Sequence, residues 1–149
     1  MTEGKRLAQF SELVRSSSLK RFKQVAPQDR EWRPAANQLS FVDILKHLCD
    51  SDRWIISILK GDQEILGPSV KPGDGKAKDW EWLLQDLEEL GVIKADYLRL
   101  MNDVELFQEG IDWEELGLTG KWLILMRGNL DHEIQHRGAL QMMLNLKYK

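Results

Sequence analysis

Apolar residues recur at three- and four-residue intervals along four stretches of the chain, the spacing that lines one face of an α-helix, and no stretch reads as a convincing strand. The first runs from about Glu3 to Lys23, with Leu7, Phe10, Val14 and Phe22 along one side. Ser16 to Ser18 lower its helix propensity but leave room for another helix to approach. A polar connection containing Pro27, Trp32 and Pro34 follows. The second helix starts on Ser40-Phe41-Val42-Asp43, a capping box with Asp43 in the place of the usual Glu or Gln. Phe41, Leu45, Leu48, Ile55 and Leu59 then form an apolar stripe that Gly61 stops.

Residues 61–78 are rich in Gly and Pro and read as a loop. Within them Pro72-Gly73-Asp74-Gly75 has a superficial likeness to a phosphate cradle. It lacks the lysine of a P-loop and follows no strand, so it reads as a surface turn. The third helix spans about Asp79 to Gln108, with Trp80, Leu83, Leu87, Leu90, Tyr97, Met101 and Val104 on one face. Gly91 marks a bend or a close contact in it. The fourth runs from near Lys121 to about Leu146. The expected fold is an all-α four-helix bundle forming one domain over residues 1–149. The long 61–78 link can cross the bundle, so the second and third helices can run parallel in an up-down-down-up order.

Composition narrows the function classes. Hydrophobic residues make up 42% and charged residues 30%, the balance of an ordinary globular chain. Net charge is −3 with both signs mixed, which leaves no electrostatic footprint for nucleic acid. The Lys20-Arg21-Phe22-Lys23 cluster reads as a wet helix face. No apolar run reaches membrane-spanning length. The single cysteine, Cys49, excludes an internal disulfide framework, and with no signal-peptide core near Met1 the expectation is a cytoplasmic protein.

The chemistry concentrates in Asp131-His132-Glu133-Ile134-Gln135-His136-Arg137-Gly138, which contains the HExxH spelling of a zinc-protease helix. Such a site takes its third ligand from further along the chain. The residues after His136 hold no His, Asp, Glu or Cys, so that ligand is missing and the protease reading fails. Glu133 lies four residues before Arg137, the favourable order for a surface ion pair, and this reading outranks catalytic base.

His132 and His136 share one helical face, a turn apart, with Leu125, Ala139 and Met143. The third histidine, His47, lies on the edge of the second helix's stripe near Ile44, Ser51, Trp54 and Ile58. At about 1.5 Å per residue, all three lie roughly 17–23 Å from a common bundle end if the second and fourth helices are antiparallel. Parallel helices would put His47 at another level. A three-histidine metal site is therefore expected, formed by His47, His132 and His136.

The ordered set Trp32-Arg33-Pro34, Ser40 through His47-Leu48, Asp52-Arg53-Trp54 and Asp131 through Gly138 resembles the DinB/YfiT-like metal-binding bundle family. The resemblance implies an up-down-down-up bundle in which His47, His132 and His136 hold a divalent ion. It further implies a homodimer and, in some branches, a transferase or isomerase that uses a low-molecular-weight thiol. One departure is Ala139, where relatives often carry Gln after the His-Arg-Gly sequence; Gln141 lies close by in the chain.

Three neutral imidazoles leave coordination positions open, as in a catalytic site. Three functions follow as alternatives: thiol transfer to an electrophilic small-molecule substrate, a metal-hydroxide hydrolase, and a non-catalytic stress or interaction protein whose ion staples two helices. For hydrolysis the candidate bases are Glu133, Asp50 and Asp131. Zinc or nickel is favoured as the ion, with iron or manganese as alternatives. Cys49 reads as a core filler, Arg137 as a candidate anion contact and Trp54 as a candidate pocket wall. Trp80, Trp82, Trp113 and Trp122 are left open between core and dimer interface.

Overall fold

The computed structural model describes residues 1–62, 67–108, 112–113 and 117–149. It is all-helical apart from one two-residue antiparallel ladder, in which Asp112–Trp113 (β1) pairs with Leu118–Thr119 (β2). The helices are α1 (Glu3–Phe22), α2 (Phe41–Leu59), α3 (Trp80–Leu100), the single turn α4 (Asp103–Leu106), α5 (Gly120–Leu125) and α6 (Asp131–Tyr148). A π-helical segment, Met126–Leu130, joins α5 to α6. Among the described residues no helix is long and apolar enough to cross a membrane.

Local chemistry sets the helix ends. Ser40 and Asp43 form the expected reciprocal capping box at the start of α2. Gly61, with φ +100°, follows the end of that helix in a conformation suited to glycine. The Asp43 carboxylate also accepts from Gly73 N (3.0 Å) and Gly75 N (2.7 Å). The Pro72–Gly75 turn thus clamps the start of α2. A Cβ on Gly75 would lie 2.6 Å from the Val42 carbonyl oxygen, so only glycine fits there.

The third helix is shorter than expected. It ends at Leu100, and Asn102 caps α4 by accepting from Glu105 N at 2.8 Å. Val104 consequently lies outside the long helix and is exposed. Gly91 marks a close contact: a Cβ there would meet the Arg15 guanidinium at 2.9 Å.

The core has two apolar clusters. One holds Leu19 and Phe22 of α1, Phe41 through Cys49 of α2, Trp80 through Leu90 of α3 and Leu140 through Leu144 of α6. The other holds Leu7, Trp54, Ile58, Ala95, Leu98, Ile124 and Leu130. Along α1 and the α5–α6 unit the second cluster comes first in sequence; along α2, Ile56 apart, and along α3 it comes last. Four buried charged residues stand where each helix passes from one cluster to the other: Arg15, Asp52, Lys94 and Glu133.

Candidate metal centre

The cluster of charges at that transition fixes how α6 presents its motif. Arg15 donates to Glu133 through Nε (3.1 Å) and Nη2 (2.7 Å), and to the Leu87 carbonyl through Nη1 (2.7 Å). Its Nη2 also lies 2.7 Å from Asp52 Oδ2. Lys94 donates to Asp52 Oδ1 (2.9 Å) and to Asn129 Oδ1 (3.0 Å). Ser18 Oγ donates to Glu133 Oε2 at 2.9 Å. Burial alone would raise both acids, but Lys94 and Arg15 hold Asp52 below the usual carboxylate range, and Arg15 then Lys94 do the same for Glu133. Two cations and two anions thus neutralise one another away from water.

This overturns the expected surface pairing of Glu133 with Arg137. Glu133 is 2% exposed and faces α1 and α3. Successive helix residues are turned by about 100°, so a buried Glu133 directs the neighbouring His132 elsewhere, toward α2. There the three histidines meet. His132 Nε2 lies 3.0 Å from His47 Nε2 and 3.0 Å from His136 Nε2, and a ligand atom from each ring lies within 4.8 Å of the others. The rings stand edge-on to one another, at 75–84°.

Hydrogen bonding alone satisfies this arrangement poorly. A neutral imidazole has one in-plane lone pair and one N–H, yet His132 Nε2 faces two other ring nitrogens. His47 Nδ1 and His132 Nδ1 are buried without a hydrogen-bond partner among the described residues. Burial, followed by repulsion from His132, pulls His47 down to about 4. Burial, with His132 and His47, pulls His136 down to about 3, and burial lowers His132. The rings are neutral near pH 7, the protonation state a metal requires of an imidazole ligand. Adjacent nitrogens 3.0 Å apart also suit donors around an ion bound at about 2.0–2.1 Å. The donor set fits a divalent transition metal.

The other sequence candidates separate clearly. Cys49 is fully buried, its Sγ lies 3.5 Å from the Leu83 carbonyl, and burial pushes its thiol well above the usual range; it is core. Asp50 is engaged by Lys46 at 2.8 Å. Asp131 lies 3.5 Å from Arg127. Gln141 accepts from Arg21 Nε at 3.0 Å, which ties it to α1. Trp54 lines a cavity of about 190 Å³ together with Ser51, Pro68, Arg127, Gly128, His132 and Gln135. Trp80 is core, Trp82 is exposed and Trp122 stacks on Phe107; the side chain of Trp113 is outside the described residues.

Sequence reasoning missed Arg15, Lys94 and Asn129, and did not assign Asp52 a structural role. A signal existed. Asp52 falls four residues after Leu48 and three before Ile55, while Lys94 falls four after Leu90 and four before Leu98. Charges in phase with an apolar stripe mark burial. No family model, curated protein or solved structure matches the chain.

Proposed function

We propose that the chain is a DinB/YfiT-like protein in which His47, His132 and His136 hold one divalent ion, and that it transfers a low-molecular-weight thiol to an electrophile. The convergence of three Nε2 atoms from two helices, with one nitrogen facing two others, carries the metal reading. When bound, the ion supplies a Lewis-acidic position that lowers the pKa of a coordinated thiol near neutral pH.

The choice of thiol transfer over hydrolysis rests on Glu133. A metal-assisted hydrolase built on this motif would use that carboxylate as its base. Here both oxygens are occupied by Arg15 and Ser18, on the side of α6 that faces α1. Thiol activation by an ion needs no separate carboxylate base. The cavity at His132 offers a place for the electrophile, with Ser51, Trp54 and Gln135 on its walls.

The test is turnover of a model electrophile with several biological thiols, using metal-loaded and chelated protein. The expected result is a rate that requires both ion and thiol. Hydrolysis that persists without thiol and stops on chelation would transfer the proposal to the hydrolase class. Loss of cooperative folding on chelation, with no turnover of any substrate, would make the ion a structural staple.

A further inference from the structure

The cavity beside His132 combines an arginine, an indole and a ring of the metal centre. We propose that it binds a small carboxylate-bearing molecule with a flat apolar body, its carboxylate held by Arg127 and its body packed on Trp54. This inference rests on the metal reading and adds the class of ligand.

Charge balance is the first support. Three neutral imidazoles bring no negative charge to a divalent cation, and among the described residues the acids that flank the rings are already matched. Asp52 is paired with Arg15 and Lys94, Glu133 with Arg15, and Asp50 with Lys46. A bound ion would therefore present its charge to the cavity uncompensated, which favours an anion there. Among the described residues Arg127 pairs with Asp131, at 3.5 Å, but the arginine of that pair is exposed and the aspartate partly so, with side chains 63% and 34% accessible. Exposed pairs of this kind hold weakly, so Asp131 leaves the guanidinium open to exchange, and an incoming carboxylate would gain over it from the uncompensated charge of a bound ion beside the cavity. The planar fork of arginine matches a carboxylate with two parallel hydrogen bonds.

Size and wall chemistry supply the second support. A cavity of about 150 Å³ accommodates benzene, so about 190 Å³ holds one ring with one small anionic group. Trp54 and Pro68 give apolar walls, and Ser51 and Gln135 give polar ones. The larger groove of about 490 Å³ between α1 and α3 is lined by no histidine of the centre, its Arg99 is paired with Glu12, and the Arg15 donors at its floor are already spent.

Benzoate and its neutral isostere benzamide test the proposal on cobalt-loaded, untagged, full-length protein, followed by calorimetry and by the cobalt visible absorption. Benzoate is expected to bind saturably and at least about tenfold more tightly than benzamide, the scale of one charge-assisted hydrogen bond. Arg127→Gln should take up cobalt as the wild type does and lose about tenfold in benzoate affinity, with Arg127→Lys between them. Equal binding of benzoate and benzamide, or unchanged benzoate affinity in Arg127→Gln, overturns the proposal. Failure of the wild type to take up cobalt overturns the metal reading instead, and this inference with it.

Discussion

Glu133 and Arg15, 118 residues apart in sequence, are joined in the core by two hydrogen bonds of 3.1 and 2.7 Å. The central acid of an HExxH motif is thereby an internal strut. Glu133→Gln is expected to keep its metal content while losing stability by about 3 kcal/mol, the cost of leaving a buried cation partly unmatched. Urea denaturation and elemental analysis check the two halves separately. Unchanged stability with abolished turnover would restore the glutamate to catalysis.

Lowering the pH should destabilise the metal-free protein before its carboxylates titrate. His47 and His136 are pulled down to about 4 and about 3 in the folded state, against about 6.5 in an unfolded chain. The unfolded chain therefore takes up protons first, and stability falls as the pH drops from about 6.5 toward 4. Below that, the depressed carboxyls of Asp52 and Glu133 withdraw their own contribution as they protonate. The urea midpoint between about pH 7.5 and pH 5 measures the first window. His136→Asn should flatten it; an equal slope in that variant would contradict the assignment.

Asp43 serves both the helix cap and the loop clamp. Asp43→Ala removes acceptors from Ser40 N, Gly73 N and Gly75 N together. A cost of roughly 2–4 kcal/mol is expected, combining a lost cap with buried donors left without partners. A change within about 0.5 kcal/mol, the range of an ordinary surface substitution, would show that the Gly73–Gly75 turn does not depend on this carboxylate.

Cys49 should be inert to thiol reagents in the native protein. It is fully buried and its thiol is held protonated by burial. Modification by a disulfide reagent is expected to follow the unfolding rate as denaturant is added. Fast labelling of the native protein would contradict the packing described.

The helices and the histidines were legible because they rest on short-range rules. Capping at Ser40, the apolar stripe of α2 and the four-residue spacing of His132 and His136 are all local, and the depth of His47 followed from helix rise. The ion network was less legible, because a partner 118 residues distant leaves no local trace beyond a charge in an apolar phase. Glu133 was misread for this reason: Arg137 is near in sequence, but Arg15 is near in space. The π-helical segment was also missed. Leu125, Asn129 and Glu133 are all buried at four-residue intervals, longer than the 3.6-residue helical turn, and the segment absorbs the surplus. The end of α3 at Leu100 was hidden by apolar Met101 and Val104, which prolong the stripe past the cap at Asn102.

The metal content of untagged protein, measured by elemental analysis for wild type and for His47→Ala and His132→Ala, bears most directly on the three-ring centre. One ion per chain is expected in the wild type, with affinity lowered by at least about a hundredfold in each variant, no less than the loss of an outer-shell partner brings. His47 is the decisive position, since it alone comes from α2. A His47→Ala protein that retains the wild-type ion and affinity would show that α2 takes no part in the site.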